Sequence, residues 1–127
     1  MPSGTDSLVD GLIRAMQGIR PPVTRSEYQL HELVAAALTE GGYQIVHEGR
    51  LGPRCRIDFI VDRVGIEVKR GKVDVSALKK QCARYLAFDA LDALIVVADT
   101  RASLPDSILG KPVRVVGLNR LWGIALP

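Results

Sequence analysis

The sequence predicts a single α/β domain built on a mixed β-sheet, with an αβββαβ core flanked by helices. Three observations predict it. Apolar residues recur at helical spacing over 6–19 and again over 26–41. The period then shortens to that of strands, with runs rich in Val, Ile, Phe and Tyr at 43–48, 56–62 and 64–69. A third helical stretch over 77–89 precedes an unbroken apolar run at 92–98. A helix placed between an antiparallel meander and a later buried strand calls for a sheet of mixed direction.

In chain order, Leu8, Leu12, Ile13, Met16 and Ile19 make the first apolar stripe, which the Pro21-Pro22 pair stops. This amphipathic helix within 1–22 is an extension that caps the core or pairs with another subunit. Leu30, Leu33, Val34, Ala37 and Leu38 make the second stripe, ended by Gly41-Gly42 as a C-terminal cap. The three strands follow, broken at Gly-Pro or polar residues, and Asp62-Arg63 turns the last two. Ser76 is placed to cap the third helix, and Leu94-Ile95-Val96-Val97 sits at the centre of a fully buried strand. The catalytic core would then span 25–98. Residues 99–127 form a β appendage, with a short helix or loop at 104–109 and strands at 113–116 and 122–125.

Size and composition narrow the class. A chain of 127 residues, 47% hydrophobic, has material for one real core. The net charge of +3 permits a polyanionic partner without demanding one. Cys55 and Cys82 are too few and too far apart for a disulfide framework or a paired-cysteine zinc site, so reduced thiols in a cytoplasmic protein are expected. No run approaches the ~20 apolar residues of a membrane span, and Asp6 and Asp10 stand where a secretory signal would be basic and then apolar.

The chemistry concentrates in Arg56-Ile57-Asp58-Phe59-Ile60-Val61-Asp62 and Gly65-Ile66-Glu67-Val68-Lys69-Arg70. Strand alternation puts Glu67 and Lys69 on one side and Ile66 and Val68 on the other. On the preceding strand, Ile57, Phe59 and Val61 share a face, leaving Asp58 with Ile60 and Asp62. Pairing of these strands can bring Asp58 beside Glu67. Two close carboxylates repel, and a hard divalent cation such as Mg²⁺ keeps both ionised. Such an ion polarises a phosphoryl oxygen and acidifies water, while an amine at Lys69 orients that water or neutralises phosphate charge. The ordinary alternative is a solvated sheet face carrying cross-strand ion pairs.

Neighbouring segments add candidates. Gln81 and Tyr85 lie four apart beside the stripe of Leu78, Cys82 and Leu86, so both point inward, and the amide must find a partner in a phosphate, the metal site's surroundings or a loop carbonyl. Glu27 falls on the apolar side of its helix between Val34 and Leu38, with Glu32 nearly opposite. Glu27 is either a metal or water ligand or the closing residue of a capping box over Thr24-Arg25-Ser26-Glu27. Glu48 is a further ligand candidate. Arg54 and Arg56 (with Arg50) precede the Asp58 strand, and Arg70 and Lys72 follow Lys69, so both groups could hold DNA phosphates or simply be solubilising charge. The aromatic residues, Tyr28 among them, fall mostly at core positions, which leaves single-strand stacking without support.

Asp58, then Glu67-Val68-Lys69, then Gln81-Cys82-Ala83-Arg84-Tyr85 resemble the PD-(D/E)XK nuclease superfamily, the last segment being similar to the QxxxY element of its RecB-like branches. The resemblance covers about 25–98 and includes the element order. It implies a restriction-endonuclease-like fold with Mg²⁺ or Mn²⁺ held by Asp58, Glu67 and the Val68 carbonyl, with Glu27 as the helix acid. It also implies Lys69 as the catalytic lysine, supported by Gln81 and Tyr85. Ile57 stands where the motif has proline, a departure that affects turn shape more than chemistry.

The expected activity is hydrolysis of DNA phosphodiester bonds. The alternative is the same fold kept as an inactive DNA-binding or assembly module, and a third reading is a toxin or scaffold that uses the first helix for partners. Concerted cutting of both strands would require two sites and hence a homodimer.

Overall fold

The computed structural model describes residues 4–21 and 26–118. The expected strand at 122–125 lies outside them. Helices α1 (Gly4–Gln17) and α2 (Glu27–Glu40) lead into strands β1 (Val46–Gly52), β2 (Cys55–Val61) and β3 (Val64–Lys69). Helix α3 (Val75–Leu86), then β4 (Ala93–Ala98), β5 (Ser107–Ile108) and β6 (Lys111–Gly117), complete the chain. The six strands form one mixed sheet in the order β1-β2-β3-β4-β6-β5. β1, β2 and β3 pair antiparallel, β3, β4 and β6 parallel, and β5 antiparallel to β6.

Two apolar cores lie on the two faces of the sheet. On one face α1 and α2 bury Leu12, Met16, Leu30, Val34 and Leu38 against Phe59, Ile66, Val68, Ile95 and Val97. On the other, α3 buries Leu78, Cys82 and Leu86 against Ile57, Leu94, Val96 and Val113. Central β4 has all six residues buried, as its unbroken apolar run predicts. The apolar stripe of α1 is spent inside the chain, so of the two roles predicted for it the structure shows the cap. Strand β6 is a member of the main sheet, with Val113 in one core and Val116 in the other. Both cysteines are buried and free. Among the described residues no helix is long and apolar enough to cross a membrane.

Several boundaries differ from those the sequence predicts. β1 begins at Val46 and not at residue 43, because Tyr43 and Ile45 are drawn into the core under α1 and α2 instead of pairing with β2. It also runs on through Gly49, whose hydrogen is needed where a Cβ would collide with Ile60. The cap of α3 is Asp74, whose carboxylate accepts the Ala77 N–H at 3.1 Å, and not Ser76. The box at the start of α2 is Ser26 with Gln29, each side chain bonded to the other's backbone amide, while Thr24 of the expected box lies outside the described residues. Residues 104–109 form neither a helix nor a simple loop: β5 occupies the end of that segment and turns into β6 through Leu109 and Gly110, both at positive φ.

Candidate functional site at the opening of β2 and β3

The β2–β3 ladder is regular from Val61–Val64 to Phe59–Ile66 and goes no further. Beyond it the strands exchange side chains for backbone. Asp58 Oδ2 accepts the Val68 N–H at 2.7 Å, and Glu67 Oε1 accepts the Asp58 N–H at 3.3 Å. Each carboxylate thus replaces a missing ladder carbonyl, satisfying the amides while holding the two acids together.

Strand β2 also changes face here. The sequence predicts Ile57, Phe59 and Val61 on one face, yet Ile57 packs into the α3 core while Phe59 and Val61 pack under α1 and α2. The alternation breaks at Asp58. β1 kinks at the same level, since Glu48, between the pairs His47–Phe59 and Gly49–Ile57, has φ +51°. A non-glycine residue in that region costs about 1–2 kcal/mol, a strain concentrated where the polar residues meet.

On β3, Ile66 and Val68 belong to the α1–α2 core, which turns Glu67 toward α3. Glu67 is buried, and its Oε2 lies 3.2 Å from Lys69 Nζ. Tyr85 interacts with Glu67 from α3, and Gln81 Nε2 donates to Tyr85 Oη at 2.9 Å. The phenol therefore accepts from the amide. Burial, then the charge of Glu67, pushes Tyr85 far above the ordinary range, so it stays a neutral donor. Cys82, beside it, is pushed up to about 11 by burial and remains a thiol.

The acids are both held above their ordinary values. For Asp58 the cause is burial, opposed by the Val68 N–H, His31 and Lys69. For Glu67 it is burial and then the charge of Asp58, opposed by Lys69 and the Asp58 N–H. A buried carboxylate with a half-buried one held against it favours a nearby cation.

The structure brings Asp58, Glu67, Lys69, Gln81 and Tyr85 together, and it adds His31, whose Nε2 lies 3.6 Å from Asp58 Oδ2. His31 escapes sequence reasoning because it sits at the margin of the α2 stripe. Its only signal is a spacing of one residue from Leu30 and three from Val34. Glu27 does not point into the core as expected. The first turn of α2 is exposed throughout, since the buried stripe begins only at Leu30, and both Glu27 and Glu32 line a cavity of about 630 Å³ with Asp58 and Glu48. Among the described residues no group of three or more His, Cys, Asp or Glu side chains is disposed to hold a metal ion. A cation at the opening would therefore rest on Asp58, Glu67 and the Val68 carbonyl. This donor set of few oxygens fits an ion such as Mg²⁺ that keeps several waters.

On the α3 side a second cleft, about 360 Å³, is lined by Lys69, Arg70, Lys72 and Arg84 together with Gln81. The loop carrying Arg70 and Lys72 is clamped from the end of β4. Asp99 Oδ1 accepts the Gly71 N–H at 2.7 Å, and Thr100 Oγ1 donates to the Gly71 carbonyl at 2.6 Å. Gly71 itself is at φ +75°, where glycine is the low-cost choice. Arg84 and Asp99 carry no signal in the sequence that would single them out. Arg54 and Arg56 line neither cavity. They belong to the β1–β2 hairpin, Arg54 at its turn with φ +59° and Arg56 directly across from Arg50.

Comparisons with family models, with curated proteins and with solved structures gave no match to this chain.

Proposed function

We propose that this chain is a metal-dependent deoxyribonuclease with a restriction-endonuclease-like arrangement of its core, hydrolysing phosphodiester bonds at the opening of β2 and β3. One observation carries the reading. The amide exchange between Asp58 and Glu67 assembles a half-buried acid, a buried one and Lys69 beside a cleft lined by four cations. A solvated sheet face with ordinary ion pairs has no reason to bury Glu67 with a second carboxylate held against it.

Asp58, Glu67 and the Val68 carbonyl would hold Mg²⁺ or Mn²⁺. When bound, the ion supplies positive charge to the phosphodiester and acidity to water. The chain's own residues do the rest. Lys69, held by Glu67, places an ammonium next to the phosphate to orient the attacking water and offset developing charge. Tyr85, fixed by Gln81, donates to Glu67 and sets the direction of its carboxylate. His31 steadies Asp58 from the α2 side. Arg70, Lys72 and Arg84 bind the backbone on either side of the scissile bond.

The test is incubation with supercoiled, linear duplex and single-stranded DNA in Mg²⁺, Mn²⁺ or EDTA. Cutting that requires the ion is expected, with Asp58→Ala, Glu67→Ala and Lys69→Ala each reducing it by about a hundredfold or more. Undiminished cutting by any of the three removes that residue from the mechanism. DNA binding with no cutting under any ion, and no carboxylate-dependent ion binding, would replace this reading with an inactive binding or assembly module. The lack of a three-ligand cluster among the described residues is the observation that favours that second reading.

A further inference from the structure

The cavity on the α2 side of Asp58 has a lining unsuited to phosphate. Among the described residues, Glu27, Glu32, Glu48 and Asp58 give it four carboxylates, and none of those lining it is a lysine or arginine. It carries aromatic surface instead. Tyr28, in the first turn of α2, is 70% exposed on that lining, although its sequence position suggests a core residue. His31 and His47 also line it, their rings held 5.7 and 5.2 Å from the buried ring of Phe59. It is an open depression of about 630 Å³, a volume within the range of clefts that hold small molecules.

The group that suits such a lining is flat, uncharged and rich in N–H donors. A nucleobase has all three properties: its face stacks on an aromatic ring, and its amino or imino hydrogens donate to carboxylates. The phosphates of the same strand are directed to the opposite side, where Lys69, Arg70, Lys72 and Arg84 line the cleft next to Glu67. A nucleotide whose phosphate sits over Asp58 and Lys69 is thereby divided, backbone toward α3 and base toward α2. A base held in a duplex cannot enter without being unpaired and unstacked.

We infer that this cavity receives one unpaired nucleobase next to the scissile phosphate, stacked on Tyr28, so that single-stranded or frayed DNA is the favoured substrate. The inference rests on the nuclease reading for its substrate, but its test does not depend on cutting.

Fluorescence anisotropy in EDTA compares a short labelled oligonucleotide with its blunt duplex, for the unaltered protein, Tyr28→Ala and Tyr28→Phe. The single strand should bind more tightly than the duplex. Tyr28→Ala should weaken single-strand binding about tenfold and leave duplex binding unchanged, while Tyr28→Phe, which keeps the ring, should retain it. Where Mn²⁺ supports cutting, one abasic position next to the cut should slow the unaltered protein by a similar factor and slow Tyr28→Ala no further. Equal affinity for both forms, an unaffected Tyr28→Ala, or losses that multiply would overturn the inference. Single-strand binding that depends on Tyr28 in a protein that cuts nothing would remove the hydrolase reading and keep this one. Cutting that is indifferent to Tyr28 and to strandedness would do the reverse.

Discussion

The cavity on the α2 side of Asp58 and the cleft on the α3 side of Lys69 lie on opposite faces of the sheet, and their charges are opposite too. The first is lined by four carboxylates. The second carries Lys69, Arg70, Lys72 and Arg84, and the carboxylate among its described lining residues, Asp74, is engaged in capping α3. Asp58 lines the first and Lys69 the second, while Glu67, 3.2 Å from Lys69, lines neither. A mild overall charge of +3 conceals this arrangement, because the polarity that a substrate meets is local. Separate treatment of the two sides by mutation is the way to test whether they hold different parts of one ligand.

The largest effect should come from the basic side. Lys72→Glu combined with Arg84→Glu removes two cations and adds two anions where phosphates are expected, on side chains that lie outside both apolar cores. Affinity for DNA should fall by about a hundredfold, and the dependence of log affinity on log salt should become shallower by about 0.9 for each phosphate that is no longer neutralised. Anisotropy titrations across a salt series measure both. An unchanged slope would show that the backbone does not run along α3, which would break the division of the nucleotide at its first step.

The acid pair between the two sides should respond in stability before it responds in activity. Glu67 holds its proton more tightly in the folded chain than the ordinary value of 4.5, through burial and then the charge of Asp58. A carboxyl with a raised folded value adds stability that is fully present below the unfolded value and is lost as pH rises through the folded one. At neutral pH without a cation the pair is therefore a cost, and Glu67→Gln should relieve it. The gain should be about 1 kcal/mol, or roughly 3–6 °C in Tm, with the fall in Tm as pH rises above the ordinary carboxyl value made smaller. Mn²⁺ should raise the Tm of the unaltered protein and leave that of Glu67→Gln nearly unmoved. A lower Tm for Glu67→Gln at neutral pH would mean that the bonds to Lys69 and the Asp58 amide outweigh the repulsion.

Much of this was legible in the sequence, for reasons that also explain what was not. The element order and the convergence of Asp58, Glu67 and Lys69 follow from periodicity, because local hydrophobic pattern decides which face of a strand or helix is buried. Gln81 and Tyr85 were placed together by their four-residue spacing, and the structure bonds them to each other. The break in alternation at Asp58 was not legible, since it depends on a kink in two strands at once, at Glu48 and Asp58. His31, Arg84 and Asp99 were missed for a related cause: each acquires its role from a partner far along the chain. Tyr28 shows the opposite error. A large aromatic residue next to an apolar stripe reads as core, yet the helix there precedes its first buried residue, Leu30.

The smallest effect should come from Arg54 and Arg56, which the sequence groups with the phosphate-binding cations. They lie on the β1–β2 hairpin, exposed, and outside the linings of both cavities. Arg56 also faces Arg50 across the ladder, a like-charged pair that costs a few tenths of a kcal/mol. Arg54→Ala with Arg56→Ala should therefore change single-strand affinity by no more than about twofold at physiological salt, where exposed charges beyond ~8 Å are screened. Unfolding midpoints should stay constant or rise slightly as the Arg50–Arg56 repulsion is removed. A tenfold loss of affinity would extend the backbone path past β1 and around the edge of the sheet. That outcome would give the acidic cavity a basic flank on both sides, so a strand would cross it instead of ending one base inside it.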